Sequence, residues 1–233
     1  LQRHFRIVSL KEGIARMQTG ELDGDYAALS FDDGDASIRQ AIGILEGEGV
    51  PATFFLNSYF QETGMVDWTR ILPQLNEEKR ASVFAVLRDT GDSGEYWRTL
   101  DELYAMPVEI PGGQFCAFDF LEKIDPELFD IGLHGHRHER HSMMSDEEQA
   151  RNLDKNVECL KRFRNYQPIF AAPYGRPQDI NAATKRICKE KDLTLLMAEG
   201  GVNTCATFGK ESLVRRVAAD GREIARLRAR GFV

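Results

Sequence analysis

Tyr26-Ala-Ala-Leu-Ser-Phe31, Asp32-Asp33-Gly34, the apolar spacing of Ile38, Ala41, Ile42 and Leu45 up to Gly49, and Ala52-Thr-Phe-Phe-Leu56 read as strand, loop, helix and strand. The two short apolar runs, bounded by turn residues, have the length of buried strands. Ser37 to Glu48 keeps one apolar face at helical spacing, and Gly49 supplies the positive φ that a helix C-cap favours. Strand, helix, strand at this length is the βαβ unit of a parallel sheet with right-handed crossover. The loops that follow such strands share one edge of the sheet, where these folds place their chemistry.

Downstream, the alternation is lost between residues 57 and 130. That segment mixes helical stretches, 76–89 and 95–104, with a loop at 107–113, and is expected to be an insertion over the site. Its Trp68, Phe84, Leu87 and Trp97 are expected to form a satellite core. Alternation resumes with a strand at Phe129 to Leu133 and a helix from Asp146, opened by the capping box of Ser145 and Glu148 and buried along Leu153, Val157 and Leu160. A strand at 169–172, a helix at 180–191, strands at 194–197 and 213–217, and a closing helix complete the pattern. One α/β domain of residues 1–233 is predicted.

With 42% hydrophobic residues among 233, the chain can bury one substantial core. Its formal net charge of −7 argues against a nucleic-acid surface, since phosphate binding needs clustered basic residues. The one basic cluster, Arg222 to Arg230, reads as the solvated face of a terminal helix. Cys116, Cys159, Cys188 and Cys205 form no C-x-x-C pair, so they are expected to be buried thiols rather than a zinc ribbon or disulfide scaffold. No apolar run approaches the length of about 20 residues that spans a bilayer. The chain opens on Leu1 without methionine, which implies a segment upstream.

Four of the five histidines, His134, His136, His138 and His141, fall within eight positions. His134 and His138, four apart, can converge on one ion. With one carboxylate from the Asp32-Asp33 pair they make a facial site with open positions, suited to zinc, cobalt, nickel or iron. Adjacent residues at a strand end point to opposite faces, so Asp32 and Asp33 are expected to divide two tasks, one holding metal and one handling protons. His136 and His141 are not assigned as ligands.

Ser30-Phe-Asp-Asp-Gly34, Ala52-Thr-Phe-Phe-Leu56, Ile131-Gly-Leu-His-Gly-His-Arg-His138 and Phe170-Ala-Ala-Pro-Tyr-Gly175 together resemble the motifs of the polysaccharide deacetylases, the NodB-homology or carbohydrate esterase family 4 enzymes, in their F-A-Y-P-Y-G form. The resemblance spans almost the whole chain. It implies a distorted (β/α)7 barrel with a largely helical insertion after the second strand of the βαβ unit. It further implies that Asp33, His134 and His138 bind one divalent metal, zinc foremost, and that Asp32 is the general base. Pro173 and Tyr174 would bind substrate, Tyr174 through its backbone N–H at the oxyanion. The implied reaction removes acetyl from an N-acetylated sugar or polysaccharide, so the expected partner is a carbohydrate. Extracytoplasmic location is the family tendency.

Two departures stand out. Ala171 occupies the position where many members carry an arginine, which implies that the partner orienting Asp32 is missing. No histidine follows His141, where the family's general acid is usual; in a permuted subgroup the equivalent residue lies upstream of the stretch that resembles Phe5 to Leu10, and His4 is a weak substitute. Two other functions fit the same residues: a C–N hydrolase of small amides on the same fold, and a non-catalytic glycan-binding relative.

Overall fold

The computed structural model describes residues 3–108, 113–198, 201–211 and 213–217. The first half runs β1 (Arg6–Ile7), α1 (Leu10–Thr19), β2 (Tyr26–Ala27), β3 (Leu29–Phe31), α2 (Ile38–Glu48) and β4 (Ala52–Leu56). Five helices follow: α3 (Ser58–Thr63), α4 (Trp68–Ile71), α5 (Glu77–Asp89), α6 (Ser93–Tyr104) and α7 (Phe118–Leu121). The second half runs β5 (Phe129–Leu133), α8 (Asp146–Leu160), β6 (Tyr166–Ala171), α9 (Ala182–Glu190), β7 (Thr194–Met197), α10 (Cys205–Glu211) and β8 (Leu213–Arg215). The closing helix and Arg222 to Arg230 lie outside the described residues.

Strands β3 to β8 form one six-stranded parallel sheet in sequential order, and β1 pairs in parallel with β2. The strand expected over 26–31 is interrupted at Ala28, its first half pairing with β1 and its second with β4. With β2 and β3 counted as one interrupted strand, the wall is a distorted (β/α)7 barrel of the NodB type, with no pairing between β8 and β1 among the described residues. Its curl is tight enough that Arg216, just past β8, lies 3.3 Å from Ser30 of β3.

Both faces of the sheet are covered, which is why its strands read as continuous apolar runs rather than alternating ones. Phe54, Leu56, Ile131, Leu133 and Phe170 pack outward against α2, α8 and α9. Their neighbours Phe55, Ile169, Ala171, Leu196 and Val214 pack on the other face against Leu10, Ile14 and Met17 of α1 and Phe208 of α10. Period-two alternation thus sorts one strand between two cores. Cys116 and Cys188 are buried as expected, whereas Cys159 and Cys205 are only half-buried.

Side-chain caps set the helix starts. Ser145 and Glu148 make the reciprocal capping box on α8, worth about 1 kcal/mol. Asn76, Asp92 and Asn181 accept from the third residue of α5, α6 and α9. Asp35 accepts from Ser37 N–H at 2.9 Å, so the entry to α2 does not draw on Asp32 or Asp33.

Between β4 and β5, α3 to α7 form the largely helical insertion, with a separate core. Trp68, Ile71, Leu87, Tyr96, Leu100 and Leu103 are no more than 2% exposed. Trp97 joins it half-buried and donates to the Met143 carbonyl at 3.0 Å. Phe84, expected in this core, lies at its margin: it is 47% exposed, with its ring centroid 6.4 Å from that of Trp68, while Val83 and Leu87 are the residues of α5 that are buried. Polar contacts fasten the insertion to the barrel. Buried Arg140 lies 3.3 Å from buried Asp179 and donates to Thr90 O at 3.0 Å. Arg176 bridges Asp179 and Asp89 at 3.0 and 2.9 Å. Among the described residues no helix is long and apolar enough to cross a membrane.

Candidate active site

Asp32 and Asp33 follow β3, His134 follows β5, and Pro173 and Tyr174 follow β6, so all leave the sheet at its C-terminal edge. Gly34 N–H closes back onto the Asp32 carbonyl at 2.9 Å, and Gly175 N–H onto Pro173 at 2.8 Å. Each three-residue turn carries a non-glycine residue at positive φ in its middle: Asp33 at 68° and Tyr174 at 62°. His138 adopts φ 58°. Of the four non-glycine residues at positive φ among the described residues, three are therefore at this site. Each costs of order 1–3 kcal/mol, and such strain persists where surrounding contacts impose it. Here Gln61 donates to the Asp33 carbonyl at 2.8 Å and Asn57 to that of His134 at 2.6 Å.

The side chains converge. His134 Nε2 is 3.2 Å and His138 Nε2 3.4 Å from Asp33 Oδ1. One donor atom from each of the three lies within 4.8 Å of the others. Asp33 Oδ1 is covered yet has no hydrogen-bond partner. His134 Nδ1 donates to the Ala171 carbonyl at 2.7 Å, which fixes one proton there and turns Nε2 toward Asp33. A nitrogen, nitrogen, oxygen set around an orphaned carboxylate oxygen fits a divalent transition metal.

Electrostatics agree with this convergence. Burial, the largest single influence, pushes both carboxyls up, but neighbouring positive charge wins. His138 and His134 carry Asp33 well below the ordinary carboxylate range, and His134 and Arg216 lower Asp32. Burial pushes the His134 imidazolium down, and the two aspartates more than reverse it.

His136 and His141 stay outside the cluster, as expected. His136 Nδ1 meets Ser58 Oγ at 2.9 Å, and its ring faces a cavity of about 750 Å³ lined by Glu62, Lys155 and Cys159. His141 is buried with its ring centroid 4.9 Å from that of Phe170. Exposed His4 precedes β1, so in a parallel sheet it lies at the edge opposite the site.

The expectation that Asp32 lacks an orienting partner is overturned. Arg216 grips it with both guanidinium ends, Nη1 to Oδ1 at 2.6 Å and Nη2 to Oδ2 at 2.8 Å. The guanidinium also lies over the Phe55 ring, 5.6 Å from its centroid. The arginine thus stands just past β8 instead of at position 171. Its only signal in the sequence is a basic pair, Arg215-Arg216, at the end of a predicted strand. Sequence reasoning also missed Trp68, whose Nε1 donates to Tyr174 Oη at 3.1 Å while the rings stack.

The sequence model of the polysaccharide deacetylase family matches residues 19–196. The chain belongs to the polysaccharide deacetylase family. Membership supports a deacetylase activity on carbohydrate. Among solved structures, this polysaccharide deacetylase is similar to IcaB from Ammonifex degensii, with 18% identity, a TM-score of 0.66, and coverage of 100% of this chain and 84% of that one. Deacetylase PplD from Streptococcus pyogenes, in complex with acetate, gives 15% identity and a TM-score of 0.64 over 93% of this chain and 74% of its own. A de-N-acetylase from Aggregatibacter actinomycetemcomitans gives 14% and 0.60, over 100% and 84%. At these identities the likeness is one of fold. No curated protein gives a significant match.

Proposed function

We propose that the chain is a metal-dependent N-deacetylase that removes acetyl from an N-acetylated sugar of a polysaccharide or smaller glycan. Asp33, His134 and His138 would hold one divalent metal, zinc foremost. The observation that carries this is the bare Asp33 Oδ1 facing two imidazole nitrogens at 3.2 and 3.4 Å. A divalent cation bound there would polarise the acetamide carbonyl and bring the pKa of water from about 15.7 toward about 7.

Asp32 acts as the general base. Arg216 keeps it ionised and fixes its plane beside the ion ligands, its Oδ2 4.0 Å from His134 Nε2. It takes one proton from the attacking water as oxygen bonds to the acetyl carbon. Tyr174 N–H, uncommitted among the described residues, donates to the developing oxyanion, with Pro173 setting the turn. The C–N bond then breaks as the proton taken up by Asp32 passes to the leaving nitrogen, which gives acetate and the free amine.

Acetate release from N-acetylated oligosaccharides tests the reading. Asp32→Asn should retain metal and lose roughly 10²- to 10⁴-fold in rate. His134→Ala and His138→Ala should lose metal. Full occupancy in both histidine variants, or undiminished turnover by Asp32→Asn, would falsify it.

A further inference from the structure

Among the described residues Asp67, which caps α4 in the insertion, is a buried carboxylate without a lysine or arginine partner. Its side chain is 7% exposed, and among the described residues the one ion-pair neighbour within 4.0 Å is His138, with Nδ1 3.8 Å from Oδ2. Oδ1 accepts from Thr69 N–H at 3.0 Å, and Tyr104 Oη stands 3.5 Å from Oδ2. His138 Nδ1 is itself buried without a hydrogen-bond partner. An unsatisfied donor and an under-satisfied acceptor thus face each other.

Leaving a carboxylate buried and unpaired is costly, and so is a buried ring N–H without an acceptor. An approach of under about 1 Å brings the two within hydrogen-bond range and relieves both. Such an acceptor keeps the imidazole proton on Nδ1, so that Nε2, which faces Asp33, offers its lone pair. Resting on the metal reading above, we infer that Asp67 is a positioning residue that orients His138 toward the ion. His134 has a neutral counterpart in the Ala171 carbonyl, 2.7 Å from its Nδ1.

Asp67 is held for this role. Its N–H donates to Gln114 Oε1 at 2.9 Å, and the next residue, buried Trp68, donates to Tyr174. The dipeptide Asp67-Trp68 is therefore where the insertion touches both a proposed ligand and the Pro173-Tyr174-Gly175 turn. That gives the insertion a part in assembling the site as well as covering it.

Titration of chelator-stripped protein with Co²⁺ alone, in competition with a chromophoric chelator, tests the inference. Asp67→Asn keeps the helix cap and shape but removes the charge; Asp67→Ala removes both. Affinity should fall about 10-fold in Asp67→Asn and up to about 100-fold in Asp67→Ala, with a changed Co²⁺ absorption band. The metal-free Asp67→Asn protein should unfold at the wild-type midpoint, which separates positioning from folding even if Asp67→Ala fails to fold. Unchanged Co²⁺ affinity in Asp67→Asn, beside a His134→Ala variant that loses the metal, overturns the role of Asp67 alone. Equal Co²⁺ affinity of wild type and His134→Ala overturns the metal reading beneath it.

Discussion

Arg216 and Asp32, 184 positions apart, meet through two parallel contacts of 2.6 and 2.8 Å. A planar guanidinium across a planar carboxylate fixes the rotation of the acid as well as its charge, which a lysine cannot do. Charge-assisted hydrogen bonds of this kind are worth roughly 1.5–3 kcal/mol, or about 10- to 10²-fold in rate. Arg216→Ala should lower the rate of acetate release by that factor and leave Co²⁺ affinity within about threefold, because Arg216 touches none of the proposed ligands. Arg216→Lys should recover only part of the loss. Wild-type turnover in Arg216→Ala would show that Asp32 needs no such partner.

Trp68 ties the insertion to Tyr174 by a 3.1 Å hydrogen bond and a stacked ring. In Trp68→Phe the stacking surface survives and the donor goes, at a cost of about 1 kcal/mol in stability. If the tie also holds the Tyr174 turn for the oxyanion, the rate should drop a few-fold with metal affinity unchanged. Denaturant midpoints and steady-state kinetics measured together decide it; a stability loss without any rate loss would restrict Trp68 to packing.

Gly175 combines φ 69° with a tight neighbour: a Cβ there would lie 2.4 Å from both the backbone nitrogen and the Cβ of Ala198. Backbone cannot step aside as a flexible side chain can. Gly175→Ala should therefore destabilise the fold by about 2 kcal/mol or more and displace Tyr174. Thermal unfolding is the direct measurement, and a midpoint equal to wild type would contradict the close approach.

His141 gives a signed pH dependence. Burial pushes its imidazolium down to about 4 from an ordinary 6.5. The folded value lies below the unfolded one, so the unfolded chain binds the extra proton between those limits, and stability rises with pH across them. The contribution is complete above about pH 6.5 and is lost as pH falls toward about 4, amounting to at most roughly 3 kcal/mol. Urea unfolding of wild type and His141→Gln from pH 7 to 4 should show a shallower decline in the variant. Parallel curves would remove His141 as the cause.

Much of this site was legible because its residues come in local clusters. The aspartate pair sits directly after a strand, His134 and His138 lie four apart, and Pro173-Tyr174-Gly175 ends another strand. Apolar runs announced the strands, since a sheet covered on both faces leaves no polar alternation. What escaped notice was never local. Phe84 has the composition of a core residue and lies 47% exposed, because helical phase in α5 is set by Val83 and Leu87. Positive φ at Asp33, His138 and Tyr174 leaves no mark in residue type, since these are not glycines.

The sequence by itself determined the parallel α/β order, the insertion, and which local groups could gather at the C-terminal edge of the sheet, because periodicity and turn chemistry act over a few residues. Only the tertiary structure decided what stands behind those groups. Curling the sheet brings Arg216 to Asp32, and docking the insertion brings Asp67 to His138 and Trp68 to Tyr174. Those contacts depend on how strongly the barrel closes and on which helix faces pack, quantities fixed by the whole core rather than by any stretch of chain.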